Sequence, residues 1–422
     1  MRRSAPRPVI DRRCRIGDAS SPVQDPQVNA NDLRTQDFRR ILLIKLSAVG
    51  DVVHTIPVLN KLRRRYPSAR IDWLVTPAIA DLIRHHPAVS NVVLFTREDW
   101  STPWRLGSLG RVAKLVVELR RARYDLIVDM HGQFRTAFFT LAAGAPVRIG
   151  FDRPRPEVWH ASERTFPLDA YKHAWKGARE ASWIAYTHRI AVPSLDVHAV
   201  DRYLTVSPML GLDSGPADFS FPVPSGAVAR VEALLRMNGI APDAGVLLCA
   251  PGTNWETKHW SAERFAEVAR HFLGRGWRIV LIGSQRERAV CARVAAAAPG
   301  TVDLCGETSL TELAALVRRS SGAITNDSGP MHMAVALDRP VVSVFGPTDA
   351  LWIGPYGRSD AVVRTELPCA PCYLRQLRYC RHGHACMGEI TAADVIARME
   401  ATLAAGAGER HALEPQAMPA TG

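Results

Sequence analysis

The sequence predicts an α/β protein of two doubly wound parallel-sheet domains facing a cleft, and three observations predict it. Short apolar runs such as Arg40-Ile-Leu-Leu-Ile-Lys45 and Gly245-Val-Leu-Leu-Cys-Ala250 lack polar alternation, so they read as strands covered on both faces. Helical stretches alternate with them, the order that β–α–β crossovers require. The alternation runs from residue 40 to 129, loosens from about 150 to 225, and resumes from 245 to 349. Two Rossmann-like halves with a linker between them turn the carboxyl ends of both sheets toward one cleft.

Residues 1–37 are rich in Arg, Pro, Asp and Ser without apolar periodicity and read as a disordered basic arm. The strand at 40–45 leads through a loop at 46–51 into an amphipathic helix over 52–66, which ends in Arg63, Arg64 and Arg65. A strand at 70–75, a short helix, a strand at 92–95, a helix near 107–123 and a strand at 124–129 follow. Helices are expected around 172–190 and 196–205, and 219–226 reads as a linker. The second series has strands at 245–250, 278–282, 301–304, 323–325 and 341–345, with helices at 261–274, 286–297 and 309–319. The domains are therefore 38–222 and 223–405, with a flexible tail at 406–422.

At 422 residues, 47% hydrophobic and 22% charged, the chain has the composition of a globular protein with room for two cores. It contains no apolar run long enough to span a bilayer and no apolar stretch of the secretory type behind its basic start. Lys and Arg outnumber Asp and Glu by 53 to 41, a formal charge of +12, which suits an anionic partner. Patterns typical of nucleic-acid binding are missing, so that partner class is set aside. Of eight cysteines, Cys369, Cys372, Cys380 and Cys386 cluster. Zinc, with His382 or His384 in reserve, a small local fold or disulfides are all compatible with that spacing.

Four loops sit at expected carboxyl ends of strands. In Ser47-Ala-Val-Gly-Asp51, Asp51 is either a carboxylate aimed at the cleft or the N-cap of the next helix. In His131-Gly-Gln-Phe-Arg-Thr136, Arg135 offers a cation to an anionic acceptor or simply starts a solvated helix. The stretch Ala250 to Trp260 joins a Gly-containing turn to Thr253, Asn254 and Lys258, a diphosphate clamp without P-loop spacing. The last loop, Asn326 to His332, has Asp327 and Ser328 at a helix start, Gly329 for close backbone approach and Pro330 in the first turn. Such a turn suits a phosphate or diphosphate, and it is also an ordinary strand-to-helix connection with a core histidine.

Ile44-Lys-Leu-Ser-Ala-Val-Gly-Asp-Val-Val-His-Thr-Ile-Pro57 resembles the N-terminal signature of the bacterial ADP-heptose:lipopolysaccharide heptosyltransferases, glycosyltransferase family 9. The stretches 124–132, 198–204, 258–260, 326–332 and 345–348 match that family in the same order. The resemblance implies a GT-B architecture, an ADP-heptose donor, inversion at the anomeric carbon and no metal or other cofactor. It also implies an anionic lipid A/inner-core acceptor at the cytoplasmic face of the inner membrane, and no nucleic acid. By the same resemblance Asp51 is the base; Thr253, Asn254, Lys258, Glu287, Asp327, Ser328, Gly329 and His332 hold the donor; and Ser47, Arg135, His198 and Arg202 face the acceptor. The chain departs from the heptosyltransferase I pattern at His131-Gly-Gln-Phe-Arg135, at Asn254 and in the Cys369–Cys386 segment, which is similar to one in heptosyltransferase II-like proteins and is expected to stand outside the reaction. Peripheral attachment through Arg63, Arg64 and Arg65, with Trp100 or Trp104 as anchors, is the expectation for the membrane; a solvated helix face is the alternative for the Arg run. The rival functions are a same-fold transferase with another nucleotide sugar and a non-catalytic nucleotide-binding module.

Overall fold

Ile41, Leu42, Leu43 and Ile44 are all inaccessible to solvent, which is why their run carries no polar alternation: the strand is covered on both faces. The computed structural model describes residues 32–101, 106–153, 178–191 and 197–412. In the first sheet, β1 (Arg40–Ile44), β2 (Arg70–Val75), β3 (Asn91–Leu94), β4 (Leu126–Asp129), β5 (Val147–Phe151) and β6 (His188–Ile190) lie in the order β3-β2-β1-β4-β5-β6. In the second, β7 (Val246–Ala250), β8 (Arg278–Leu281), β9 (Val302–Asp303), β10 (Gly322–Asn326), β11 (Val341–Phe345) and β12 (Val362–Arg364) lie in the order β12-β11-β10-β7-β8-β9.

Every pairing is parallel, so the expected two Rossmann-like sheets of an α/β protein are present. Both sheets share one topology: the strand order reverses between β1 and β4 in the first, and between β7 and β10 in the second. Ligands of open α/β sheets bind at the carboxyl ends of such strands. The loops 46–51, 130–135, 251–258 and 327–332 follow those four strands. We propose a domain boundary at 222/223, since all strands of the first sheet precede it and all of the second follow it.

The structure corrects several sequence expectations. Residues 32–37, assigned to the disordered arm, hold the one-turn helix Leu33–Thr35, whose Leu33 is buried; residues 1–31 lie outside the described part. The helix expected at 52–66 is two, Val49–Val53 and Ile56–Arg65, with Pro57 in the first turn of the second. Of the helix expected at 172–190, the described part is a turn, Ser182–Ala185, followed by β6, because the chain there completes the sheet edge beside β5. The tail expected from 406 continues the helix Ala392–Ala412, whose Ala-rich sequence favours that state; residues 413–422 lie outside the described part.

The arginine run is engaged within the protein, although Arg64 stays exposed. Arg63 donates to the carbonyls of Pro67 (2.9 Å), Ala69 (2.7 Å) and Ala88 (2.9 Å), closing the turn into β2. Arg64 pairs with Asp213 (3.0 Å) and Asp218 (2.8 Å), and Arg65 donates to the Arg34 carbonyl (2.9 Å). All three therefore tie down chain segments. No helix among the described residues is long and apolar enough to cross a membrane.

Candidate active site at the meeting of two switch points

Asp51 occupies the third position of the helix Val49–Val53, and its Oδ2 accepts from the Ala48 N–H at 3.3 Å. A cap-like contact therefore exists, but it engages only one oxygen. Its Oδ1 accepts from the Tyr203 hydroxyl at 3.1 Å and lies 3.9 Å from Lys45 Nζ. Lys45 directly follows β1 and is buried; its ammonium donates to Tyr203 Oη (2.6 Å) and to the Met130 carbonyl (2.8 Å). Burial, then the Asp51 charge, raise the Tyr203 pKa well above that of a free phenol, so Tyr203 stays neutral and donates. Lys45 and Tyr203 together fix the Asp51 carboxylate from below. The partly exposed Ser47 lies in the same loop.

Tyr203→Phe removes the hydroxyl between Lys45 and Asp51. A hydrogen bond to a charged group is worth about 1.5–3 kcal/mol, so kcat is expected to fall roughly ten- to a hundredfold with ADP binding retained. Steady-state kinetics with calorimetry checks this, and an unchanged kcat would remove Tyr203 from the site.

The β4 loop is built on Asp129, which is fully buried and accepts from the N–H groups of His131 (2.8 Å) and Gly132 (3.1 Å) and from the Tyr186 hydroxyl (2.9 Å). Gly132 adopts φ +66°, a conformation that suits glycine. Burial, then repulsion from Lys45 and Arg135, hold His131 to a pKa of about 3, so it is neutral and donates through Nε2 to Gln133 (3.1 Å). Arg135 bonds Gln133 as well, and its Nε is buried without a hydrogen-bond partner. Arg202 is buried, donates to the Val197 carbonyl at 3.1 Å, and likewise leaves its Nε without one. His198 caps the helix Ala199–Leu204 through Nδ1 and donates through Nε2 to the Gly354 carbonyl (3.1 Å), so it bridges the domains.

In the second domain Asn326, at the end of β10, fastens both ends of the β7 loop: it donates to the Pro251 carbonyl (2.8 Å) and accepts from the Trp260 N–H (3.2 Å). Lys258 pairs with the buried Asp327 at 2.5 Å and stacks over Trp255 at 4.4 Å. Burial raises the Asp327 pKa, but Lys258 and the Thr348 hydroxyl (2.7 Å) outweigh it and the net direction is down. Thr253 donates to the Asp327 carbonyl (3.3 Å), and Asn254 is exposed. Glu287 accepts from the N–H and hydroxyl of Ser284 (2.6 and 2.8 Å) and lies so close to Gly252 that a Cβ there would meet its Cδ at 2.4 Å. Ser328 precedes the helix Gly329–Ala336 without capping it; its hydroxyl donates backwards to the Asn326 carbonyl (3.2 Å). The N–H groups of that helix start are therefore left without a side-chain cap.

The two helix starts meet. A Cβ on Gly50 would lie 2.2 Å from His332 Cδ2, and one on Gly329 would lie 3.1 Å from Val49. His54 Nε2 and His332 Nδ1 share a 2.9 Å hydrogen bond across the cleft. Sequence reasoning missed Lys45, Tyr203, His54, Arg179 and Arg375. A charge ending an apolar strand is a signal for Lys45; the others come from contacts between distant segments. Arg375 lies over the Trp255 ring at 4.9 Å, the ring that Lys258 also meets, and Arg179 feels both Arg375 and Asp51. The cysteine segment carries Arg375 and packs on the β7 loop: Leu377 N–H donates to Glu256 (3.0 Å) and His384 to the Thr257 carbonyl (2.6 Å). The segment thus adjoins the β7 loop through Leu377 and His384 rather than through its cysteines. Among the described residues, the group with three potential metal-ligand atoms within 4.8 Å is Cys291, Asp303 and Cys305.

The sequence profile of Glycosyltransferase family 9 (heptosyltransferase) matches residues 112–176 and 165–381. Lipopolysaccharide heptosyltransferase 1 of Pseudomonas aeruginosa is 31% identical over 342 residues, 81% of this chain and 88% of that protein. Lipopolysaccharide heptosyltransferase 2 of Escherichia coli is 26% identical, covering 77% of this chain and 88% of that one. In fold, the chain is similar to E. coli heptosyltransferase WaaC with ADP-2-deoxy-2-fluoro heptose, with a TM-score of 0.63, 24% identity and coverage of 86% and 99%.

Proposed function

Because this chain belongs to glycosyltransferase family 9, the heptosyltransferases, we propose that it moves a heptose from ADP-heptose to the inner core of lipopolysaccharide, with inversion. The observation that carries the reading is the placement of Asp51, anchored by Lys45 and Tyr203 at one switch point, against the Lys258–Asp327 pair and an uncapped helix start at the other.

The acceptor hydroxyl oxygen attacks the anomeric carbon as the bond from that carbon to the diphosphate oxygen breaks, and Asp51 takes the hydroxyl proton. Negative charge grows on the departing ADP. Lys258, Arg375 and the N–H groups at the start of Gly329–Ala336 offset it, so no metal enters the step as we read it. Asp327 and His332 bind the heptose and diphosphate, Thr253 and Asn254 the diphosphate, and Glu287 beside Gly252 the ribose. Ser47, Arg135 and Arg202 supply polar and cationic groups toward the anionic acceptor; His198 acts there by holding the domains together. The narrow approach of Gly50 to His332 excludes water that would hydrolyse the donor. In this reading the acceptor is lipid-borne and the enzyme works at the cytoplasmic face of the inner membrane.

Incubation of the full chain with ADP-heptose, a lipid A precursor bearing inner-core sugars, and a metal chelator tests this. The expected result is a product heavier by one heptose residue, with ADP released. ADP-heptose left intact beside the acceptor would refute it.

A further inference from the structure

The helix Phe134–Ala143 starts at the β4 loop and carries one charged residue, Arg135. Its inner face is accounted for by the buried Thr136, Ala137, Phe139, Thr140 and Ala143. Its outer face is apolar as well: Phe134, Phe138 and Leu141 recur at helical spacing and are 57%, 37% and 51% exposed. Trp100 extends the stripe, with its ring 6.2 Å from Phe134 and 5.3 Å from Phe138. A helix at the outside of a sheet domain ordinarily turns polar residues to water, so an apolar outer face points to a partner.

We infer that the Trp100–Phe134–Phe138–Leu141 stripe is the face by which this enzyme docks on the bilayer that carries its acceptor. The inference rests on the reading that the acceptor is lipid-borne. Two features favour a membrane over a protein. Arg97 is exposed, Arg135 lies close enough to feel its charge, and neither makes an ion pair among the described residues, so two cations that suit anionic headgroups stand beside the apolar stripe, together with the Glu180 carboxylate, which accepts from the Phe134 N–H (3.2 Å). The stripe also begins where the acceptor loop does. A protein lying with this helix in the interface keeps the acyl chains in the bilayer while the sugar reaches toward Asp51. The aromatic anchor expected at Trp100 is thus retained, and its basic companions are Arg97 and Arg135; Trp104 lies outside the described residues.

The test compares the full wild-type chain with Phe134→Ser/Leu141→Ser in sedimentation with vesicles of phosphatidylethanolamine and phosphatidylglycerol. The wild type is expected to bind, and the variant to partition about tenfold or more weakly. ADP affinity, measured by calorimetry, stays equal and shows that the variant is folded. Transfer to a deacylated acceptor is unchanged, whereas transfer to vesicle-borne acceptor falls. Equal vesicle binding by both chains, or no binding by either, overturns the inference. So does a wild-type dimer that the variant converts to monomer, because the stripe would then be covered by a second copy. Loss of vesicle binding in the variant, with no heptose transfer by either chain, would leave the docking face standing and fault the assigned reaction instead.

Discussion

Asp51→Asn is expected to lower turnover by roughly a hundredfold or more, the usual contribution of a positioned base, while ADP-sugar binding changes little. The carboxylate is held at both of its oxygens. One oxygen meets the Ala48 N–H, and the other meets Tyr203 and the Lys45 ammonium. An amide keeps the shape and an acceptor oxygen for the turn, and Asn serves helix starts about as well as Asp. If the residue only organised the turn, kcat would scarcely move. What the amide loses is the capacity to take a proton. Single-turnover rates and ADP-sugar calorimetry on the variant separate the two, and near-normal turnover would discard Asp51 as base.

Lys258→Ala is expected to be costly in two currencies at once, stability and donor affinity. Lys258 and Asp327 are both buried, and removing one charge of such a pair costs about 3–5 kcal/mol because the other is left unpaired. Asp327's folded pKa lies below its unfolded one, so the pair's contribution is complete above the unfolded value and fades only as pH falls through the folded one. A loss at neutral pH should therefore be visible in denaturant unfolding. The variant Lys258→Met/Asp327→Asn discriminates: with no unpaired charge left, it should regain much of the stability but not the affinity for ADP. Recovery of both would assign Lys258 to structure alone.

The elements legible in the sequence were those buried on both faces or strongly periodic. β1, β4, β7 and β8 announce themselves as apolar runs, and β2, β10 and β11 do so despite Asp72, Thr325 and Ser343 within them. β5 contains Arg148 and Gly150, while β6 and β12 have three residues each, too few for a pattern. The four loops at the switch points were legible because turn chemistry is local: Gly50, Gly132, Gly252 and Gly329 sit beside polar residues at strand ends. What was not legible depends on pairing at a distance. Tyr203 reaches Asp51 from a helix in another part of the chain, and His54 meets His332 from the opposite domain. The partners of the run Arg63–Arg65 were hidden for the same reason, since Asp213, Asp218 and the Ala88 carbonyl among them lie outside its own helix. His198 was placed by motif, but its ring nitrogens are spent on a helix start and on Gly354.

The brace that residues 373–390 lay over the β7 loop has a consequence for the newborn protein. A ribosome delivers Trp255, Glu256 and Thr257 well before Arg375, Leu377 and His384, and domains form as their residues emerge. Through that interval the first sheet is complete and the strands of the second are added one by one, yet the β7 loop lacks its outer wall. Trp260 waits as well, since its indole N–H donates to the Ile390 carbonyl at 3.0 Å. A polypeptide interrupted before residue 373 would therefore carry Asp51 with no finished seat for the nucleotide.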